Sequence, residues 1–242
     1  MSALGGRQCV VTGVSSGIGR ATAAQLVAAG ASVIGIGRNA ERLAGLAGEL
    51  GARFTSLHAD LAAPSERERA VAELRKQGKV DVFVSNAAEA AYASPLGIAP
   101  HDFRRLLEVN VCAPLELCQA LVPAMPPTGH VVQLSSVTAR FAPSPKFAPY
   151  AVTKAAVAGL VDALRLELAP RGVRVTTIAP GLVDTPIYDD LPGFDDVRRR
   201  LTDQVPEWLA PEDVADAILW VLSRPPNVVV TELTVMPRGQ AR

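Results

Sequence analysis

The chain has 242 residues, of which 49% are hydrophobic and 20% are charged, and its 24 basic residues balance its 24 acidic ones. This length and composition fit one α/β domain with a sizeable core and exclude a disordered chain. Because the formal net charge is zero, no overall positive field attracts nucleic acid or an acidic membrane, and we expect neither as a partner.

The cysteines and histidines exclude two further classes of protein. Cys9, Cys112 and Cys118 are odd in number and lack C-x-x-C spacing, and the three histidines are scattered. We therefore expect neither a disulfide framework nor a metal site. The N-terminal MSALGGRQ carries no cleavage-site pattern, and no stretch approaches 18 uninterrupted apolar residues, so we expect a cytoplasmic protein.

Seven short β-rich runs alternate with longer segments of helical spacing, such as 18–29 and 102–121. The runs are QCVVT, ASVIGIG, RFTSLHA, DVFVSN, HVVQLSS, VRVTTIA and VVVTELTV. This alternation predicts βαβ units and an α/β fold whose parallel sheet is covered by helices on both faces. Without a linker or an internal repeat, residues 1–242 are predicted to form one domain. Ligands of such folds bind at the carboxyl ends of the strands.

The first strand runs directly into the turn TGVSSGIGR, which holds three glycines. Glycines at a strand-to-helix turn let the backbone approach a pyrophosphate, which the helix N-terminus stabilises. An ordinary tight turn would also use glycines, but the position on the first βα unit favours a phosphate site. The predicted dinucleotide contacts in this turn are Gly13, Ser15, Ser16, Gly17, Ile18 and Gly19.

The second strand ends in GIGRNAERL. Enzymes that prefer NAD usually present a carboxylate here, whereas an arginine accommodates the 2′-phosphate of NADP. Gly37 takes the place of the carboxylate and Arg38 follows it, which predicts NADP(H); the alternative is that Arg38 only caps a surface turn. Asp60 is predicted to contact the adenine, with a helix cap as an almost equal alternative, and the adjacent Leu61 is predicted to bind the cofactor.

The stretch APYAVTKAAVAGL places Tyr150 and Lys154 one helical turn apart, so both side chains project from one face. A helix that shows two polar residues to water is the simpler interpretation. The chain contains only three tyrosines and four lysines, however, so this spacing in an otherwise apolar helix favours a functional pair.

Six motifs, including the glycine turn and the Tyr150/Lys154 pair, follow one another along nearly the whole chain. They are TGVSSGIG, VSNAA, EVNV, LSS, the Tyr150/Lys154 pair and IAPGLVDT. In this combination the chain resembles the short-chain dehydrogenase/reductase family. The resemblance implies a Rossmann-type, doubly wound, seven-stranded sheet, an oxidoreductase of small carbonyl or alcohol substrates, and a homodimer or homotetramer. It also implies the active-site tetrad Asn110, Ser136, Tyr150 and Lys154.

The resemblance assigns a role to each member of the tetrad. Hydride transfer to a carbonyl builds negative charge on oxygen, so a proton donor is needed, and Tyr150 is that acid. We expect Lys154 and the oxidised nicotinamide to lower the phenol pKa from its usual value near 10, with Lys154 also binding the nicotinamide ribose. Ser136, preferred over Ser135 because it lies at the strand exit, orients the substrate oxygen, and Asn110 holds a relay water.

Further cofactor contacts follow from the same resemblance. They are Asn86, Pro180, Gly181, Val183 and Thr185, although Asn86 is alternatively expected to stabilise the strand edge and Pro-Gly is also an ordinary loop signal. Two departures from the family pattern stand out. Ala88 replaces a usual glycine, next to Glu89, which adds a charge near the cleft. The spacing from Ser136 to Tyr150 is 14 residues, one longer than usual.

Residues 182–209 are predicted to be a lid over the substrate. The helical segments 102–121 and 150–169 are apolar on more than one face, which fits a subunit interface or a buried helix. The ending NVVVTELTVMP is similar to NADP-dependent members that act on hydroxy acids and aldehydes. Two alternatives are a catalytically silent NADP(H)-binding regulatory protein, which the intact Ser/Tyr/Lys set disfavours, and a non-redox epimerase or dehydratase, which usually has a longer C-terminal lobe.

Overall fold

The computed structural model describes residues 4–140, 142–189 and 191–240. Strands and helices alternate along this part of the chain. The strands are β1 (Gln8–Thr12), β2 (Ser32–Gly37), β3 (Phe54–His58), β4 (Val82–Ser85), β5 (His130–Leu134), β6 (Arg174–Pro180) and β7 (Glu232–Val235). The α-helices are α1 (Gly17–Ala28), α2 (Ala40–Leu50), α3 (Pro64–Arg75), α4 (Pro100–Leu107), α5 (Ala113–Leu121), α6 (Ala148–Leu168), α7 (Asp195–Gln204) and α8 (Pro211–Leu222).

All seven strands form one parallel sheet in the order β3-β2-β1-β4-β5-β6-β7. In the register, Val10 of β1 lies between Ile34 of β2 and Phe83 of β4. The strand order reverses between β1 and β4, which opens a crevice at their carboxyl ends. The predicted doubly wound α/β sheet is therefore confirmed.

Helices cover both faces of the sheet because its central strands are apolar on both sides. On one face, Leu26 of α1 and Ile218 of α8 are fully buried in the same cluster. On the other face, Leu74 of α3, Leu117 of α5 and Val157 of α6 share the second cluster. Burying each such side chain contributes about 1.5–3 kcal/mol, so the two clusters hold the helices and the loops between them in place.

The predicted helix 102–121 is interrupted where the sequence resemblance places a tetrad residue. The chain forms a π-helical turn over Glu108–Cys112 between α4 and α5. Such wide turns insert a residue into the helix and occur frequently at functional sites. The turn carries Asn110, which is 1% exposed.

The last strand is shorter than the run VVVTELTV predicted, since pairing with β6 begins only at Glu232. Of the preceding carbonyl groups, that of Thr231 still accepts from the Thr177 backbone N–H at 3.0 Å, whereas those of Val228 and Val230 are bound by side chains of β6. Thr176 Oγ1 donates to the Val230 carbonyl at 2.6 Å, and Arg174 Nη1 donates to the Val228 carbonyl at 3.3 Å. Because β7 lies at the sheet edge, this segment needs no second partner strand.

Two segments, Pro100–Ala124 and Pro145–Arg171, are long and apolar enough to span a membrane by length and composition. Core helices pass the same test, and these segments pack on the sheet through α5 and α6. On α6, Val152 and Leu166 remain 52% and 81% exposed. The homodimer or homotetramer and the cytoplasmic location stay predictions.

Candidate active site

A cavity of about 700 Å³ lies at the carboxyl ends of the central strands, at the crevice that the strand order creates. Most of the predicted site residues line it: Gly13, Ser15, Ser16, Gly17, Ile18, Arg38, Asp60, Leu61, Asn86, Tyr150, Lys154, Pro180 and Thr185. The other predicted residues do not line it: Gly19, Asn110, Ser136, Gly181 and Val183. The topology therefore brings loops that are distant in the sequence to one cleft.

The glycine turn leaves no room for side chains. Gly13 and Gly17 have φ angles of 75° and 52°, which only glycine adopts readily. A Cβ atom on Gly13 would lie 2.8 Å from the Asn86 amide nitrogen, and one on Gly19 would collide with the Gly13 carbonyl oxygen. Asn86 fastens this contact, because its backbone N–H donates to Thr12 Oγ1 and its side chain to the Thr12 carbonyl, both at 2.9 Å.

Two serine hydroxyls in this turn are left unused by the fold. Ser15 Oγ is buried and has no hydrogen-bond partner among the described residues. Ser16 occupies the N-cap position of α1, but its side chain makes no capping bond. Together with the free N–H groups at the start of α1, these hydroxyls provide the donors that a pyrophosphate requires. The residues present therefore fit a dinucleotide.

Arg38 belongs to a cluster of charged side chains at the end of the cavity near β2. Its guanidinium is 61% exposed and forms an ion pair with Glu89. Arg105 binds the same carboxylate through Nε at 2.9 Å and Nη2 at 2.7 Å, and it reaches Asp60 at 3.2 Å. We call these four residues the charged quartet. The expectation that Glu89 adds a charge at the cleft is correct.

Asp60 does not cap α3, since the N-cap position is Ala63 and no side chain caps it. Its carboxylate accepts a hydrogen bond from the Ala62 N–H at 3.0 Å. Burial would raise the pKa of Asp60, but the Ala62 N–H and the charge of Arg105 outweigh it and hold the pKa below its usual value. Asp60 is therefore an anion within the quartet.

Arg42 also lines the cavity, although the sequence did not predict it as a site residue. Its guanidinium makes no hydrogen bond or ion pair within residues 4–140, 142–189 and 191–240. Arg42 lies in the first turn of α2, where its backbone N–H is capped by Asn39 at 2.9 Å. The helix dipole disfavours a cation at this position unless an anion binds there. A basic residue in the first turn of a predicted helix is the sequence signal that could have identified Arg42 as a site residue.

Tyr150 and Lys154 lie side by side on the first turns of α6, with the ammonium 5.6 Å from the centre of the tyrosine ring. Lys154 is 2% exposed and donates to the Leu134 carbonyl at 3.1 Å. The interpretation as a solvent-facing polar pair is therefore wrong. Burial lowers the pKa of Lys154 to about 8, so the ammonium form still predominates at neutral pH.

The structure corrects the expected effect of Lys154 on Tyr150. Burial raises the pKa of Tyr150 above its usual value, and the nearby Tyr188 adds to this increase, whereas a hydrogen bond with Ser136 opposes it. The lysine ammonium does not offset burial because it lies over the ring and bonds to the Leu134 carbonyl. In the protein alone, Tyr150 therefore keeps its proton.

Ser136 and Asn110 support this pair from outside the cavity. Ser136 Oγ accepts hydrogen bonds from Thr138 N–H at 3.2 Å and from Thr138 Oγ1 at 2.9 Å, which leaves its own proton for Tyr150. The Asn110 amide donates to the Glu89 carbonyl at 2.8 Å and to Thr153 Oγ1 at 2.9 Å. Asn110 thus ties the loop after β4 to the turn of α6 that carries Lys154.

Two residues predicted to contact the cofactor are used to anchor the segment 182–209. Val183 is 4% exposed and forms a bridge with Leu209, while a Cβ on Gly181 would collide with the Gln240 side chain. Five aromatic rings then hold this segment against the loops that precede it. Tyr188 stacks on Phe194 at 5.1 Å, and Tyr92, Phe147 and Trp208 surround this pair.

The profile of the short chain dehydrogenase family matches residues 7–193. The chain belongs to this family. It is therefore an oxidoreductase, and the resemblance drawn from the motifs is confirmed.

Similar proteins align with nearly the whole length of this short-chain dehydrogenase. An uncharacterized oxidoreductase of Staphylococcus epidermidis is 34% identical over 231 residues, which cover 94% of this chain and 96% of that protein. Serine 3-dehydrogenase of Agrobacterium fabrum is 34% identical over 238 residues, which cover 96% and 94%. The closed form of a serine dehydrogenase complexed with NADP⁺ aligns with a TM-score of 0.89 at 30% identity, covering 97% and 96% of the two chains.

Proposed function

We propose that the protein transfers a hydride between NADP(H) and a small or medium-sized aldehyde, ketone or hydroxy compound, with Tyr150 as the general acid and base. The observation that carries this proposal is the Tyr150/Lys154 pair in the wall of a cavity that also contains the glycine turn. The NADP⁺ bound to the similar serine dehydrogenase supports the choice of cofactor.

Different residues of the cavity would hold the different parts of the dinucleotide. Ser15, Ser16 and the N-terminus of α1 hold the diphosphate. The adenosine end is bound by Arg38, Arg42, Asp60 and Leu61, with the two arginines near the 2′-phosphate. The nicotinamide end is bound by Asn86, Tyr150, Lys154, Pro180 and Thr185. Gly181 and Val183 shape the turn beneath the nicotinamide. When bound, NADP(H) supplies or accepts the hydride.

The chain's own residues then manage the proton. Tyr150 is protonated at neutral pH and can therefore donate its proton when negative charge develops on a substrate oxygen beside it. When a substrate is bound, the Ser136 hydroxyl donates to the substrate oxygen in place of Tyr150 and orients that oxygen, and the Lys154 ammonium stabilises the phenolate once the proton has left. Asn110 holds the loop after β4 and the Lys154 turn in fixed relation.

The segment 182–209 is assigned as the substrate lid, since its aromatic cluster lies next to Tyr150 through Tyr188. Similarity to serine 3-dehydrogenase makes 3-hydroxy acids, serine among them, the first compounds to test as substrates in the oxidative direction. Simple aldehydes and ketones are the corresponding substrates for reduction.

The test follows NADPH oxidation and NADP⁺ reduction by absorbance with this set of compounds, in the wild type and in Tyr150→Phe. We expect Tyr150→Phe to reduce kcat at least 100-fold, in the range typical of lost acid–base catalysis, while NADPH still binds. Tyr92→Phe is the matched control, since it removes a phenol hydroxyl from the aromatic cluster but keeps the ring. Near-normal turnover by Tyr150→Phe would contradict the assignment.

A further inference from the structure

Glu89 is the centre of the charged quartet, and it is less exposed and held by more hydrogen bonds than its partner Arg38. Its backbone N–H donates to Asn110 Oδ1 at 2.9 Å, and its carbonyl accepts from Asn110 Nδ2 at 2.8 Å. Its carboxylate is 19% exposed and is held by two hydrogen bonds from Arg105. Arg38, in contrast, is 61% exposed, and Glu89 is its only ion-pair partner among the described residues.

The charges of the quartet cancel, because two arginines face two carboxylates. A 2′-phosphate carries between one and two negative charges at neutral pH. It would therefore approach an Arg38 whose charge is already balanced by a fixed anion, and only Arg42 offers an unpaired guanidinium at this end of the cavity, among the residues that the structure describes. For Arg38 to bind the phosphate fully, it has to share or leave Glu89.

Glu89 also supplies the carboxylate that is absent from the end of β2. Gly37 stands where NAD-preferring enzymes present a carboxylate to the ribose, and Glu89 brings a carboxylate to the same cavity from the loop after β4. A carboxylate there accepts hydrogen bonds from ribose hydroxyl groups and repels a phosphate.

We propose that Glu89 is a residue that determines cofactor specificity, by competing with the 2′-phosphate for Arg38 and by accepting a hydrogen bond from the ribose of NAD. This inference rests on the proposed nucleotide site. It goes beyond that proposal because it makes the preference for NADP over NAD weaker than Arg38 and Arg42 alone would set it.

The test separates the phosphate from the rest of the nucleotide. The Kd values of adenosine 2′,5′-bisphosphate and of 5′-AMP are measured by calorimetry at fixed salt, in the wild type and in Glu89→Gln. The ratio of the two Kd values measures the preference for the phosphate. We expect Glu89→Gln to increase this preference about fivefold, in line with removal of a partly exposed ion pair, with no more than a small loss for 5′-AMP.

Two further variants make the result specific. Glu41→Gln removes the same charge from the first turn of α2, close to Arg38 and Arg42 in sequence, but Glu41 makes no ion pair among the described residues. We expect it to leave the ratio unchanged. In an Arg38→Ala background, Glu89→Gln should alter the ratio much less than in the wild-type background, because the competition requires Arg38 and only the direct effect of Glu89 on the nucleotide remains.

The outcomes distinguish the inference from the proposed function. If wild-type protein binds both nucleotides and Glu89→Gln leaves the ratio unchanged or lowers it, the inference is overturned while the nucleotide site stands. An equal change of the ratio in Glu41→Gln would overturn it as well, since the effect would then be general electrostatics. If neither nucleotide binds the wild type, the proposed function fails and the inference fails with it.

Discussion

Replacing Lys154 by methionine tests whether the buried ammonium destabilises the folded protein. Burial lowers its pKa from 10.5 to about 8, and a pKa difference of one corresponds to about 1.4 kcal/mol of free energy. At pH 7 the charged lysine therefore costs about 3 kcal/mol of folding free energy relative to the unfolded chain. Its hydrogen bond to the Leu134 carbonyl returns about 1 kcal/mol, so we expect Lys154→Met to be more stable than the wild type by about 2 kcal/mol.

The pH dependence has a definite sign. Above pH 8 the folded protein releases the Lys154 proton, whereas the unfolded chain keeps it up to about pH 10.5. The unfolded state then binds more protons, so the stability of the wild type rises with pH relative to the variant. The advantage of Lys154→Met should shrink by about 1 kcal/mol between pH 7 and pH 9. Buried Cys9 and Cys118, whose pKa values are raised to about 12, affect both proteins equally.

The assay is urea unfolding followed by circular dichroism at pH 7 and pH 9 for the wild type, Lys154→Met and Lys146→Met. Lys146 is an exposed lysine that lies over the Tyr92 ring, so its replacement controls for the loss of a lysine as such. We expect no pH-dependent gap for this control. A gap between Lys154→Met and the wild type that stays constant or widens from pH 7 to pH 9 would refute the reasoning.

Two other predictions concern the frame of the site. Gly19→Ala should lower the free energy of unfolding by more than about 2 kcal/mol and weaken nucleotide binding, because its Cβ would collide with the Gly13 carbonyl. The control is Gly45→Ala, which has open space around it and should raise the melting temperature slightly. Phe194→Ala should lower the free energy of unfolding by about 3–5 kcal/mol, since Phe194 is 1% exposed in the aromatic cluster. It should also speed tryptic cleavage at 198–200. An unchanged cleavage rate would show that the cluster does not hold the lid.

Much of the fold was predictable because its signals are local. Alternating apolar strands and helices specify the parallel sheet, and the glycines of the first turn occur where side chains would collide. The π-helical turn at Glu108–Cys112 was not predictable from periodicity, because its residues fit an ordinary helix. The short β7 was also missed, since apolar β-branched residues precede it whether or not they pair.

Most of the residues predicted for the candidate site line its cavity, but the interactions among them were not predictable. Sequence placed Arg38 and Glu89 in separate motifs, and only the fold shows that they form an ion pair. In the protein alone the Tyr150 pKa is raised, which the spacing of Lys154 did not predict, because burial is a property of the packed site and the one-turn spacing is a property of the sequence. Contacts between distant loops were the missing information.

The central claim is that hydride passes between NADPH and a carbonyl compound in this cavity, with Tyr150 providing the proton. The most direct measurement uses NADPH carrying deuterium at the transferable position of the nicotinamide and detects the alcohol product by mass spectrometry. We expect one deuterium in the product with the wild type and almost no product with Tyr150→Phe. An unlabelled alcohol, or labelled alcohol formed equally fast by Tyr150→Phe, would contradict the account.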